Sequence, residues 1–176
     1  MKRSVVTAFV VALLGVAAAP AARATEVGYS RRFGLGLAVG DPTGLVAKLW
    51  VSPTNAVDFG LGFQHYGLQH CDVDGIHCDY AYREFSFNAD YLWQSNLVKG
   101  PFQLDWHIGA GGRIYSFSDN NRYEHDFDLG ARMPIGLDGM FRNPGFLEIY
   151  FEVAPVLLLL PLDFDLEGAL GVRFYF

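Results

Sequence analysis

The chain has 176 residues, 51% of them hydrophobic, 15% aromatic and 18% charged, with 20 glycines and a formal net charge of -6. Apolar content this high excludes intrinsic disorder, the length suits one domain, and the negative balance leaves no basic face for nucleic acid. Lysine is confined to Lys2, Lys48 and Lys99, while aromatics and glycine are plentiful, which points to β structure and to a surface unlike that of an ordinary soluble protein.

Residues 1–24 have the pattern of a secretory signal peptide. Lys2 and Arg3 supply the charged start, residues 5–19 the apolar stretch, and Ala22-Arg23-Ala24 an A-x-A cleavage site, so the mature chain is expected to span 25–176. Beyond the leader no uninterrupted apolar run reaches the ~18 residues of a membrane helix. The longest stretch, 153–162, contains Pro155 and Pro161.

The rest of the chain alternates with period two. Eight segments are predicted as strands: 33–40, 45–52, 56–66, 80–94, 102–117, 124–138, 146–157 and 164–176. In the third, Val57, Phe59, Leu61 and Phe63 alternate with Asp58, Gly60 and Gly62. The fifth sets Phe102, Leu104, Trp106, Ile108, Ala110 and Ile114 against Gln103, Asp105, His107, Gly109, Gly111 and Arg113. Leu147, Ile149, Phe151 and Val153 alternate with Glu148, Tyr150, Glu152 and Ala154. A helix would scatter these apolar residues around its circumference; a strand places them on one side. Turn residues separate the segments, including Asp41-Pro42-Thr43-Gly44, Pro53-Thr54-Asn55 and Arg142-Asn143-Pro144-Gly145. About 150 mature residues suit eight tilted strands of ~9–11 residues or slightly longer.

Alternation is shared by soluble barrels, which turn the apolar face inward, and outer-membrane barrels, which turn it to lipid. The polar face decides between them. It carries Lys48, Asp58, Glu84, Asp90, Asp105, His107, Arg113, Asp128, Arg132, Glu148, Glu152, Glu167 and Arg173, interspersed with Gly34, Gly36, Gly60, Gly62, Gly109, Gly111, Gly130 and Gly171. Long charged side chains beside glycines suit a narrow eight-stranded interior, where they interdigitate and pair. The opposite face is nearly continuous in large apolar residues, and Tyr80, Tyr82, Trp93, Phe102 and Trp106 fall near strand ends, where aromatic girdles belong. The expected fold is therefore an all-β, eight-stranded antiparallel up-and-down transmembrane β-barrel. Strands of this kind need closure, because lipid satisfies no open edge.

Cys71 and Cys78 lie in the polar segment His70-Cys71-Asp72-Val73-Asp74-Gly75-Ile76-His77-Cys78-Asp79. In an oxidising compartment such a pair forms a disulfide closing a small loop. A metal site using both thiolates with His70, His77 and His65 is the alternative, although the spacing is not that of the strong zinc patterns.

The exported eight-stranded plan resembles the OmpA/OmpX-type barrels. More narrowly, Phe33-Gly34-Leu35-Gly36-Leu37, Gly40-Asp41-Pro42-Thr43-Gly44-Leu45, Asn55-Ala56-Val57-Asp58-Phe59-Gly60-Leu61-Gly62, Arg132-Met133-Pro134-Ile135-Gly136-Leu137 and the closing Gly171-Val172-Arg173-Phe174-Tyr175-Phe176 are similar to a small family of bacterial outer-membrane barrels best known from spirochaete surface proteins. The resemblance implies contact with outer-membrane lipid and with the barrel-assembly machinery, and a monomer. Some spirochaete members bind a host protein through exposed surface, but outer loops vary most and no residue motif transfers that activity here; an extracellular protein ligand is an expectation of the outer loops alone. Gly171, Phe174 and Phe176 resemble the carboxy-terminal assembly signal, with Ala169 where a polar residue is usual.

Some small outer-membrane barrels modify lipid A with a His-x-Ser pair oriented by a carboxylate. Here His65, His70, His77, His107 and His125 are followed two positions later by Gly67, Asp72, Asp79, Gly109 and Phe127, so no histidine fits. Glu148 and Glu152 share a face, as general acid–base pairs do, but the nearby cations make ion pairing the simpler role. The sequence thus carries the expectation of a non-enzymatic structural or surface-interaction protein with no cofactor. A narrow ion or solute channel is the alternative, limited by an eight-stranded interior that side chains fill.

Overall fold

The computed structural model describes residues 31–63, 66–71, 78–118, 127–141, 147–159 and 162–176, and of 66–71, 78–84 and 117–118 the backbone alone. The leader, the central part of the cysteine segment and the 119–126 connection lie outside the described residues. Ten strands follow in chain order: β1 (Phe33–Gly40), β2 (Gly44–Ser52), β3 (Asn55–Gly62), β4 (Tyr66–Cys71), β5 (Cys78–Val98), β6 (Phe102–Ser118), β7 (Phe127–Arg132), β8 (Ile135–Phe141), β9 (Leu147–Leu159) and β10 (Leu162–Tyr175). Among the described residues no helix is long and apolar enough to cross a membrane.

Every pairing is antiparallel, and the first strand meets the last. β1 runs along β10 from Gly34↔Tyr175 to Gly40↔Ala169, so the sheet closes on itself. The ten segments fill eight positions in the ring. β3 and β4 both pair with β5. β7 and β8 both lie between β6 and β9. Two departures from the sequence reading follow: the sixth segment, 124–138, is interrupted at 133–134, and β4 with the start of β5 lies in residues read as the cysteine loop.

The interruption at Met133-Pro134 has a clear cause. Proline lacks the N–H that a ladder needs and sits in sheets only at edges or irregularities. Pro134 falls between β7 and β8, and the neighbouring strand carries Pro155 at the same level, between Ala154 and Val156. The Pro155 carbonyl accepts a bond from the Met133 N–H at 3.1 Å, and the Pro134 carbonyl accepts one from the Gly109 N–H at 2.8 Å. The residues without an N–H thus sit at the same break in the ladder, and both of their carbonyls stay paired. β9 continues through Pro155 to Leu159 as strand.

Side chains alternate across the wall. On β1, Phe33, Leu35, Leu37 and Val39 point outward and are exposed, while Gly34 and Ala38 are buried within the ring. The other strands with described side chains repeat this arrangement. Leu37 is 64% exposed, Val39 71% and Leu170 56%, while Lys48, Asp138 and Glu148 are at 0%. The inner wall at β1 consists of Gly34, Gly36, Ala38 and Gly40, which leaves room for long side chains from neighbouring strands. A Cβ at Gly34 would lie 2.9 Å from the Tyr175 ring.

The turns 53–54 and 99–101, the strand ends at Phe141 and Leu147, and both ends of the ring-forming chain lie at one end, called here the turn end. The turn 41–43 and the strand ends at Cys71 and Cys78, Ser118 and Phe127, and Leu159 and Leu162 lie at the other, the loop end. β5, with 21 residues, and β6, with 17, are the longest strands. At the loop end the first connection folds inward. Gly40 has φ +120°, a backbone conformation favouring glycine, and its N–H and carbonyl both bond the Thr43 hydroxyl, at 2.9 and 2.8 Å. The Asp41 N–H donates to the Gly168 carbonyl at 2.8 Å, and the Phe63 N–H to the Thr43 carbonyl at 3.0 Å. Pro42 is buried and sits over Gly60 and Gly62, where side chains would collide with it.

Candidate functional site: a buried charge network inside the ring

Nearest the turn end, the inner layer is apolar and aromatic: Trp50, Ala56, Leu92, Met140 and Tyr175 form one cluster. Above it stands Arg173, placed by β10 and 1% exposed. Its Nη1 donates to Glu148 Oε1 at 2.6 Å, its Nη2 donates to Asp58 Oδ2 at 2.9 Å, and its guanidinium lies 3.7 Å from the centre of the Tyr150 ring. Lys48 on β2 approaches Asp138 at 3.3 Å and Glu148 at 3.4 Å. The Tyr175 hydroxyl donates to Glu148 at 2.8 Å. Five strands therefore supply one cluster, joined by partners about a hundred residues apart in sequence.

At mid-height His107 bridges two carboxylates. Its Nδ1 lies 2.6 Å from Asp138 Oδ2 and its Nε2 lies 3.1 Å from Glu152 Oε2. Both ring nitrogens face carboxylate oxygens. Gln94 donates to Asp138 at 2.7 Å. Asp105 is bound by amides, accepting from Asn96 at 2.7 Å and from Gln103 at 2.8 Å.

Toward the loop end Arg132 and Arg113 share Glu167. Arg132 donates to Glu167 at 2.9 Å, to Glu152 at 2.6 Å and also to Asp90. Arg113 donates to Glu167 at 2.6 Å, to the Ser86 hydroxyl at 3.1 Å and to Asp41 of the inward turn. The Tyr115 hydroxyl donates to Glu167. Asp41 and Pro42 thus cover the layer that Arg113 and Glu167 fill.

Enclosed ion pairs hold only when their geometry and hydrogen bonding are good, because removing charges from water is costly. Here every arginine engages more than one carboxylate, and charge-assisted bonds of this kind are the strong ones. The arrangement fixes the relative positions of strands distant in sequence and fills the interior. Among the described residues Ser86 accepts from Arg113. Among the described residues no three His, Cys, Asp or Glu are grouped to hold a metal ion.

Of the residues predicted to line the interior, Lys48, Asp58, Asp90, Asp105, His107, Arg113, Arg132, Glu148, Glu152, Glu167 and Arg173 are buried there. Asp128 is half-buried on the inward side of β7, and the Glu84 side chain lies outside the described residues. Sequence reasoning missed Asp138 and Asp41. Asp138 was taken as the end of a segment, although β8 runs on to Phe141. Continuing the even-numbered parity of Arg132 and Gly136 would have found it. Asp41 stood in a turn, and nothing in the alternation marks a turn that folds inward. The inward aromatics Trp50, Tyr115, Tyr150 and Tyr175 were likewise not assigned to the network. Gly171 is buried, while Phe174 and Phe176 are exposed on the outer side. The ladder sets Cys71 directly opposite Cys78, and their side chains lie outside the described residues. No family model, curated protein or solved structure matches the chain.

Proposed function

We propose that the chain is a transmembrane β-barrel of a bacterial outer membrane, exported by the leader 1–24, with a sealed interior. Its role is structural or surface-interacting, carried by the loop-end connections, and it is not an enzyme. The observation that carries this reading is the inversion of burial: a continuous outer belt of exposed Leu, Val, Ile and Phe surrounds an interior in which Lys48, Asp138, Glu148 and Arg173 are enclosed. A water-soluble monomer rarely exposes so large a contiguous apolar surface. In a bilayer the same belt is the solvated face, and the closed ring removes the unpaired strand edges that hydrocarbon would leave unsatisfied. Aromatic side chains at the turn end, Phe102 against Phe141 with ring centres 5.3 Å apart and Tyr91 against Trp93 at 5.1 Å, suit the interfacial girdle.

The filled interior favours a plug over a pore, and the absence of a His-x-Ser pair together with the Ser86–Arg113 contact favours a non-catalytic role. In an oxidising compartment the opposed backbone positions of Cys71 and Cys78 suit a disulfide across the β4–β5 ladder. The test is the partition of the protein. The purified chain should float with lipid vesicles and migrate differently on a gel before and after boiling. A compact monomer that stays dispersed in plain buffer would refute the assignment. Planar-bilayer recordings should show no large stable conductance steps, and lipid A mass spectra should be identical with and without the protein.

A further inference from the structure

The outer belt has a groove where the ring closes. Across β10, β1 and β2 the ladder aligns Val172 with Leu37 and Leu45, then Phe174 with Leu35 and Ala47. Val172 is short, and a depression of about 860 Å³ remains along this seam. Its walls are almost entirely apolar, and Arg31 stands at its turn end, two residues before Phe33. An apolar trough that ends in a guanidinium matches an amphiphile with a hydrocarbon chain and an anionic head. Guanidinium is the side chain best suited to phosphate, which it binds through two parallel donors. The turn end is also where the apolar belt stops, so Arg31 sits at headgroup depth if the ring spans a bilayer.

We propose that this seam is a binding site for one anionic glycerophospholipid, an acyl chain lying along Leu35, Leu37 and Val172 and the phosphate at Arg31. The inference rests on the membrane reading above. The occupant is the lipid of the leaflet facing the turn end, and a second copy of the chain or a free anion is an outcome that the test distinguishes.

The experiment uses the chain recovered from membranes in detergent, with phosphatidylglycerol and phosphatidylcholine as probes and native mass spectrometry as the readout. The wild type should retain one phosphatidylglycerol at least five-fold more than phosphatidylcholine. Arg31→Gln should bring the two to parity. Val172→Trp, which fills the trough from the outer side, should abolish retention of both, and Leu45→Trp should repeat that result from the facing wall. All variants should keep the heat-dependent gel shift, which reports that the ring is formed. Unchanged retention in Arg31→Gln, or in both tryptophan variants, would overturn the lipid site and leave the membrane reading intact. Displacement of the lipid by excess inorganic phosphate would show an anion site without a chain-binding trough, and a dimer of bare protein would show a self-interface; either overturns the proposal. A wild type that takes up no lipid and needs no detergent would overturn the membrane reading itself.

Discussion

Replacing Arg173 by methionine tests the charge network at its most connected point. The substitution keeps most of the side-chain volume and removes one cation. Glu148 would still hold Lys48 at 3.4 Å and the Tyr175 hydroxyl at 2.8 Å. Asp58 would lose its close ion pair, the one Arg173 makes at 2.8–2.9 Å, and Tyr150 would lose the guanidinium stacked on its ring. Two hydrogen bonds to charged groups at ~1.5–3 kcal/mol each give a loss of about 3–6 kcal/mol. Breaking an enclosed ion pair from one side costs about 3–5 kcal/mol, which agrees. The folded-to-unfolded ratio at a fixed denaturant concentration should therefore fall by roughly two to four orders of magnitude. The assay is reversible urea unfolding in lipid vesicles, followed by tryptophan fluorescence and by the heat-dependent gel shift. Adding Asp58→Asn to Arg173→Met should recover most of the loss, because the penalty lies in the charge left behind. A single variant that loses less than about 1 kcal/mol, or a double variant no better than the single, would refute the reasoning.

The outer face gives a sharper contrast. Leu170→Arg on the exposed side of β10, away from the turn end, should cost about 2–4 kcal/mol in a bilayer, against ~0.5 kcal/mol for a water-facing position; vesicle unfolding midpoints separate the two. Gly171→Ala places a methyl group against the Tyr150 ring, which Arg173 holds in place, so overpacking should cost about 1–3 kcal/mol in the same assay. Asp41→Asn should cost only about 1 kcal/mol, since Arg113 keeps Glu167 and Ser86, and bilayer current should stay at baseline because Arg113 and Arg132 still fill the bore. Alkylation with a maleimide should label neither Cys71 nor Cys78 before reduction and both after it; labelling of the unreduced protein would exclude the disulfide.

The strands were legible because period two is a local property. Gly34, Leu35, Gly36 and Leu37 declare two faces within four residues, and β1 falls where that pattern runs. The inside of the ring was legible for the same reason: Glu148 and Glu152 alternate with Ile149 and Phe151 whatever they touch. The partners were not. Lys48 meets Glu148, and Arg173 meets Asp58, across gaps of 100 and 115 residues, and parity carries no information about which strand lies opposite. The break at Met133-Pro134 was missed because alternation resumes in phase at Ile135, so the face pattern passes over a gap in the backbone ladder. Asp41 was missed because a turn-forming sequence fixes local geometry without saying whether the turn leans outward or into the mouth of the ring.

The seam between β1 and β10 has a consequence for folding. The Phe176 N–H bonds the Phe33 carbonyl at 2.8 Å, and the ladder beside it joins the first strand of the ring to the last. Circularisation therefore has the greatest sequence separation of any pairing in the sheet, and until it happens β1 and β10 each present an open, sticky flank. Splicing the old termini together and cutting the chain at the 99–101 turn would move that final weld elsewhere without altering a single rung.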